Sequence, residues 1–521
     1  MEEATNAQSI DTVDPGYKWR VLASVVVGLF MVILDSTVVN VALKTIQTQF
    51  QVSTDQAQWT ISLYVLALGI ATPLSGFLGD RFGSKRIYLS GITLFVVGSV
   101  LAGIFSHANS LIFLIIARGI QGVGGGIALP LGTALLFSAF PPNQRGAAFG
   151  IFGVVLVFAP AIGPLLGGWL VDHNQLAWIF FLNLPIGAIG LVVGSRFLHQ
   201  NASKKNARID IPGIILSVVG FGTILFATSI AGEQGVGWGS PRVIVCLVIG
   251  GLALVAFTLV EWRTAEPLLD LHLYAIPSFA IANAASTVGT IALFGAEFLL
   301  PLYLQILRGQ SAFQTGLILL PLAIASAVTG VIAGRISDRI GPRVPIVVGF
   351  LLITYNTYQL AQISIDTSIG FLMFLLAVRG LAVGLIIQNS QLAALMDVPI
   401  SKLNRGTPLV QATRQTMQSI GVAVLATILS SAVTIAIPAS VANGGTPDLT
   451  HLPPALRATI EQGFHQFQNQ YITGFEHAYL ATCFIAILVT AISLFLPGWP
   501  GKYNPKGRRT AEAAPAQEVS I

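Results

Sequence analysis

The chain carries the stretch Gly76-Phe77-Leu78-Gly79-Asp80-Arg81-Phe82-Gly83-Ser84-Lys85-Arg86, and a second version of it, Gly334-Arg335-Ile336-Ser337-Asp338-Arg339-Ile340-Gly341-Pro342-Arg343. The two aspartates stand 258 positions apart. A further pair, Arg118-Gly119 and Arg379-Gly380, repeats at 261. Two features repeated at nearly one offset mark an internal duplication. Each copy is a short basic loop between long apolar runs, so the duplication lies in a membrane.

Composition agrees. Of 521 residues 54% are hydrophobic and 9% charged, against about 25% charged in ordinary globular domains. The net charge of +5 is scattered over short loops with no aromatic-basic patch, which argues against nucleic acid as a partner. Cys246 and Cys483 both fall in apolar runs and read as unpaired thiols. About twenty polar residues precede the first span, so no cleavable leader is expected.

A spanning helix needs about 20 mainly apolar residues. Fourteen such runs are expected, near 21–43, 59–78, 87–105, 111–139, 147–171, 178–198, 211–230, 242–260, 278–304, 314–336, 344–363, 369–395, 407–433 and 475–497. With both termini on one side, the segments on that side hold 20 of the 27 basic residues, the opposite loops four, and the spans three. The positive-inside rule makes that side cytoplasmic. The expected organisation is a cytoplasmic tail 1–20, a six-helix bundle 21–198, a basic linker and two inserted helices over 199–277, a second six-helix bundle 278–497 with a long outer loop 434–474, and a cytoplasmic tail 498–521. Within that loop 455–467 reads as an amphipathic segment. Inverted or repeated bundles with a site between them are the plan of secondary transporters.

These residues resemble the fourteen-helix drug:proton antiporters of the major facilitator superfamily, over about residues 20–497. The Gly76–Arg86 loop is similar to the superfamily's loop 2–3 signature, and Gly334–Arg343 to its weaker second copy. Arg118-Gly119-Ile120-Gln121-Gly122-Val123-Gly124 is similar to the span-4 signature, and Gly163-Pro164-Leu165-Leu166-Gly167-Gly168 to the span-5 signature associated with antiport. Leu34-Asp35-Ser36-Thr37-Val38-Val39-Asn40-Val41-Ala42-Leu43 in span 1 and Trp178–Gly187 entering span 6 resemble the fourteen-helix branch in particular, as do Pro301–Gln305 and Gly316–Pro321. Lys44 stands where members usually have proline. Aspartates that some members carry in spans 10 and 13 have no counterpart, which argues against a dicationic substrate. The resemblance implies an all-α major facilitator fold, two pseudo-symmetric bundles plus two inserted helices, in the plasma (inner) membrane. By resemblance to some Gram-negative members it also leaves room for a periplasmic adaptor, which nothing in this chain demonstrates. Oligomeric state and substrate identity are not readable.

Of 22 acidic residues two lie well inside apolar runs, Asp35 and Glu297. A charge near the bilayer centre costs about 2.5–3.5 kcal/mol even on lenient scales, and burial draws a carboxyl towards neutral pH. Asp35 is thus the expected main proton carrier and cation contact; the alternative is a fixed bond to Arg118. Glu297 is a looser counterpart in the second half, either a second proton site or a hydrated carboxylate. Arg118 and Arg379 occupy matching places and must each find an acceptor, since guanidinium stays charged. Arg414 either enters the cavity or snorkels to the surface. Asp80, Arg81, Lys85 and Arg86, with Asp338 and Arg339, are expected to gate the cytoplasmic end. Gly163, Pro164, Gly167 and Gly168 act by geometry, permitting close approach and bending. A substrate cavity would be lined by Asp35, Tyr64, Gln121, Glu297, Gln305, Gln388, Asn389, Gln411 and Gln415. Phe158, Phe294 and Phe298 would add apolar or cation–π contacts.

The expected function is proton-coupled export of an amphipathic small molecule by alternating access. The alternative is a dedicated exporter of a metabolite, lipid or siderophore. No Walker loop, nucleophile cluster or metal-ligand spacing among the seven histidines is present, so neither enzyme chemistry nor any cofactor is expected.

Overall fold

The computed structural model describes residues 16–108, 110–200, 210–231, 237–264, 266–432 and 454–497, with backbone alone for Thr54, Pro164, 295–298, Ala312, Ser430 and 454–461. Residues 1–15 of the expected N-terminal tail, the C-terminal tail, most of the basic linker and the outer loop up to 453 lie outside the described residues, and 17–20 of the expected tail begin α1. Every regular element described is helical. The first half comprises α1 (Tyr17–Val41), α2 (Leu43–Phe50), α3 (Thr54–Phe82), α4 (Ser84–Phe105), α5 (Leu111–Ala139), α6 (Arg145–Asp172), α7 (Leu176–Phe181) and α8 (Asn183–Phe197). The inserted pair is α9 (Ile211–Ala231) and α10 (Pro241–Arg263). The second half comprises α11 (Pro277–Thr290), α12 (Ala296–Leu302), α13 (Ala312–Ile340), α14 (Arg343–Ala361), α15 (Ile369–Leu395), α16 (Leu403–Ala432) and α17 (Pro454–Ser493).

Thirteen helical segments among the described residues are long and apolar enough to cross a membrane. The expected fourteenth, 407–433, is α16. Its 30 residues reach about 45 Å, but it is not among those thirteen. Its first half carries Arg405, Gln411, Arg414 and Gln415. Three other spans differ in detail. Span 1 ends at Val41 and the chain restarts as α2, so Lys44 begins a short helix instead of closing a long one. Span 6 breaks at Leu182 into α7 and α8. Span 9 contains two π-helical turns, Ile291–Gly295 and Tyr303–Leu307, on either side of α12. The segment expected at 455–467 runs without interruption into the last span, giving the 40-residue α17.

The duplication is visible in the caps. Ser53 and Gln56 form a capping box at the start of α3, and Ser311 and Gln314 form the same box at the start of α13. Both helices end on a glycine with positive φ, Gly83 at 92° and Gly341 at 91°, a conformation that disfavours any side chain. Packing repeats as well. A Cβ on Gly122 would lie 2.3 Å from the Tyr64 carbonyl oxygen, and one on Gly126 2.3 Å from that of Leu68. In the second half Gly380 meets the Leu322 oxygen at 2.3 Å and Gly384 that of Ser326 at 2.4 Å. Each of these residues, and each cap, is 258 positions from its partner. Helices α3 with α5, and α13 with α15, therefore touch backbone to backbone.

That register corrects one sequence reading. At a spacing of 258, Arg379 falls at the place of Gln121, one helical turn from Arg118. The Arg-Gly pair is repeated in the sequence, but the two arginines are not at matching positions.

The halves meet through α6 and α13, whose glycines oppose one another: a Cβ on Gly146 would lie 2.2 Å from the Gly334 oxygen, and one on Gly150 2.6 Å from that of Gly330. Helices α3 and α16 make the pseudo-equivalent crossing, with Gly76 against the Asn404 oxygen at 2.0 Å. The inserted pair leans on this second crossing. Ser229 of α9 donates to Ser62 of α3 at 2.7 Å, and Trp238, just before α10, donates to Thr427 of α16. Helix α10 is outermost. Val245, Val248, Leu252, Val255 and Leu259 are all more than half exposed, an apolar face suited to lipid.

Candidate functional site: a buried carboxylate network

Asp35 lies about three-quarters of the way along α1 and is 1% exposed. Two helices, α5 and α8, deliver three donors to it. Arg118 of α5 reaches Oδ2 through a terminal guanidinium nitrogen at 2.5 Å. Gln121, one turn on, donates its amide to Oδ1 at 2.8 Å, and Asn183, at the head of α8, donates to the same oxygen at 2.7 Å. Ser99 of α4 knits these together: it accepts from Asn183 at 2.9 Å and from Gln121 at 3.3 Å, and donates to the Phe180 carbonyl at 2.8 Å. The break at Leu182 is what turns the Asn183 side chain inward.

Arg118 is equally saturated. Besides Asp35 it donates to the Gln121 side-chain oxygen at 2.6 Å and to the Thr60 carbonyl at 3.1 Å. Its guanidinium lies 4.1 Å from the Tyr64 ring centroid, a cation–π contact. Tyr64 in turn donates to the Val32 carbonyl at 3.2 Å. Tyr64 and Gln121, expected as cavity residues, are thus engaged inside the first half and at most 1% exposed. Sequence reasoning does not single out Asn183 and Ser99 as site residues. Their signal is a polar side chain in an apolar run and, for Asn183, its place in the Trp178–Gly187 stretch.

The glycine face of α6 seats just beyond the carboxylate. A Cβ on Gly163 would lie 2.1 Å from Thr37 Oγ1, and one on Gly167 2.9 Å from the Val38 oxygen; Gly168 meets nothing within 4 Å. These contacts fall two and three residues after Asp35, so a shift of α6 bears directly on α1. The Pro164 side chain is outside the described residues.

At the end of the molecule holding the two basic loops, both repeated aspartates cross to the opposite half. Asp80 accepts from the Asn404 amide at 2.8 Å and from Arg405 Nε at 2.9 Å. Asp338 accepts from the backbone N–H of Gly146 at 2.7 Å and of Ala147 at 2.8 Å, the first turn of α6, where a helix N-terminus favours negative charge. Among the other expected gate residues, Lys85 donates to the Ser195 carbonyl at 2.7 Å, Arg81 stacks on Phe82, and Arg86 and Arg339 are exposed. Asp270, outside the spans, pairs with Lys402 at 2.8 Å. Burial alone would raise its carboxyl, but the hydrogen bond and charge of Lys402, with His272, hold it below the ordinary carboxylate range.

The remaining residues expected at a cavity are spread over the second half and α6. Gln388 is buried with neither amide atom bonded, and Gly153 of α6 packs on its side chain. Asn389 accepts from Ser337 at 2.6 Å, a bond within the second half. Gln411 accepts from Arg414 at 3.0 Å, and the Gln415 carbonyl oxygen has no partner. Phe158, Phe294 and Gln305 are half-buried. The side chains of Glu297 and Phe298 lie outside the described residues. Arg379 donates to the Ala292 and Leu293 carbonyls of the first π turn at 3.0 and 2.7 Å, while its Nε and other terminal nitrogen have no partner.

Duplicated helical halves joined by glycine crossings, with an acid–base pair buried in one of them, define a class of multi-pass membrane transporters. Comparison with known proteins makes that assignment specific. The profile described as the Major Facilitator Superfamily matches residues 25–426. The chain is 36% identical over 407 residues to the uncharacterized MFS-type transporter YhcA of Bacillus subtilis, covering 78% of this chain and 76% of that one. It is 31% identical over 431 residues to the lincomycin resistance protein LmrB of Listeria monocytogenes, covering 83% and 89%. Among solved structures, the proton:xylose symporter XylE superposes with a TM-score of 0.61 at 12% identity, covering 96% of this chain and all of that one; at such identity the likeness concerns the fold. The chain belongs to the Major Facilitator Superfamily, and it is a transporter, not an enzyme.

Proposed function

We propose that this protein exports amphipathic drugs or other lipophilic compounds from the cytoplasm, driven by protons that pass inward through Asp35. The export reading draws on relatives such as the one named for lincomycin resistance. The observation that carries the coupling is Asp35 itself, a buried carboxylate on α1 whose bonding partners come from two other helices, α5 and α8. A proton on Asp35 ends its ion pair with Arg118. Leaving one partner of such a pair uncompensated costs about 3–5 kcal/mol, so protonation favours a rearrangement that gives Arg118 new acceptors. Because Gly163 and Gly167 seat on α1 two and three residues further along, that rearrangement presses on α6 and hence on the crossing between halves.

On the positive-inside orientation the two aspartate latches close the cytoplasmic end, leaving the arrangement in which drug departs outward and a proton arrives. The moving bodies in this reading are 21–198 and 278–497, with both termini cytoplasmic in the plasma membrane. Substrate would lie between them, against Gln388, Gln411, Phe158 and Phe294, with Glu297 and Phe298 following Phe294 in the same span.

The test is substrate-triggered proton movement in proteoliposomes, using lipophilic cations, neutral amphiphiles and lincomycin, for wild type and Asp35→Asn. Proton release that is lost in the variant supports coupling through Asp35. Equal responses would move the coupling elsewhere. Transport of a single metabolite or lipid, with none of the panel, would favour a dedicated exporter.

A further inference from the structure

Two carboxylates face each other where the inserted pair joins the molecule. Asp210 immediately precedes α9 and is 7% exposed; Glu261 lies in the last turn of α10 and is fully buried. One oxygen of each is occupied. Asp210 Oδ1 accepts from the Gly213 N–H at 2.9 Å, and Glu261 Oε2 from the Leu269 N–H at 3.3 Å. The other two, Asp210 Oδ2 and Glu261 Oε1, are buried with no partner. They converge on one point: a Cβ on Gly213 would stand 2.2 Å from the first and 2.5 Å from the second, so they are no farther apart than those distances combined. Gly213 leaves the space that brings them together.

The charged groups around them are engaged elsewhere. Asp270 is bonded to Lys402 and His272, Asp80 of α3 to Arg405 of α16, and Arg81 of α3 stacks on Phe82. Arg263, Glu266 and Arg414 give neither free oxygen a bond, and Asp55 and Arg242 stand at the far ends of α3 and α10. Among the described residues no counter-charge bonds either free oxygen, and two buried carboxylates this close cannot then both be ionised; the stable arrangement shares one proton.

We infer that Asp210 and Glu261 together bind one proton, held as an O–H···O hydrogen bond between Oδ2 and Oε1, and that this bond fastens the ends of α9 and α10. When the proton leaves to water, two carboxylates remain face to face and the helix ends are pushed apart. The site has an output. Glu261 also holds the Leu269 N–H, the next residue grips Lys402, and Lys402 lies three residues before the arginine that latches Asp80. The inserted helices thereby give the latch a proton-sensitive input, independent of Asp35.

Infrared spectroscopy of the purified full-length protein at neutral pH provides the test. Wild type and Asp35→Asn are expected to keep a buried protonated-carboxyl band that Glu261→Gln and Asp210→Asn each lose. Thermal unfolding gives a second reading. The native pair retains a proton that both unfolded carboxyls have released, so wild-type stability falls as pH rises above the unfolded carboxyl range, about 4, until the native pair gives up its proton. Glu261→Gln, whose amide donates permanently to Asp210, should show a flatter slope, and Asp210→Asn serves if that variant does not fold. The inference fails if wild type lacks the band, if both pair variants keep it, or if all slopes coincide.

Discussion

Asp80 and Asp338 sit at equivalent places in the two halves and close the same end of the molecule, but their donors differ in kind. Asp80 is held by two side chains, Asn404 and Arg405. Asp338 is held by two backbone N–H groups, those of Gly146 and Ala147. The donor positions are themselves 258 apart, 146 matching 404 and 147 matching 405. A duplicated fold keeps the acceptor and the distance while the donor drifts from main chain to side chain. The same drift separates the buried cores: the place of Gln121, which serves Asp35, is taken by Arg379, which bonds carbonyls.

The largest test of that contrast is Arg118→Ala against Arg379→Gln. The first leaves Asp35 without its counter-charge and should cost about 3–5 kcal/mol. The second puts back the residue type the first half uses and removes a guanidinium with two unbonded nitrogens, so it should cost about 1 kcal/mol or less. Thermal unfolding in detergent reads both; equal losses would mean that Arg379 has a role its bonds do not reveal.

Next come Gly122→Ala and Gly380→Ala. Both introduce a methyl 2.3 Å from a carbonyl oxygen, and overpacking of this kind costs about 1–3 kcal/mol. The two should be alike. A clear inequality would break the register that places Arg379 opposite Gln121.

Asp80→Asn and Asp338→Asn should each weaken closure by about 1–2 kcal/mol, the scale of a lost charge-assisted bond, or roughly 5- to 30-fold in the open-to-closed ratio. Spin-label distances between the connection after α3 and that before α16 would report it. The difference lies in rescue. In the double variant D80N/R405Q the new glutamine side chain can restore a neutral bond to the amide introduced at position 80. No side-chain change at 146 or 147 supplies new backbone donors.

The smallest effect belongs to Asp270 and Lys402. The Asp270 carboxyl is held below its unfolded value, so its contribution is complete above about pH 4 and fades as pH falls through the lower folded value. Lys402 is 46% exposed, which limits the pair to about 1 kcal/mol or less. The stability gap between wild type and Asp270→Asn should close on acidification; a gap that widens would show that another group controls this turn.

Much of this is legible in the chain. Asp80, Asp338, the glycine signatures and the lone acid of span 1 all announce themselves by type and spacing, because a charge in an apolar run must be answered. What escapes is of three kinds. Ser99 and Asn183 are single polar residues whose importance arises only when several helices converge. The π turns around α12 leave no compositional trace. Asp210 and Glu261 stand at the edges of apolar runs, where an acid ordinarily means a helix end in water. Arg379 is misaligned when the repeated Arg-Gly pair sets the register; the true one is written in Gly380 and Gly384, which repeat Gly122 and Gly126.

At the α6–α13 crossing, Gly146 and Gly150 meet Gly334 and Gly330 backbone to backbone. Elsewhere two helices can slide only by pulling rotamers out of one another's grooves. Here only the Asp338 bonds to the start of α6 must be released, and the glycine surfaces behave as a smooth bearing. Friction at the pivot is low, so the pace of the swing passes to the bonds at its rim.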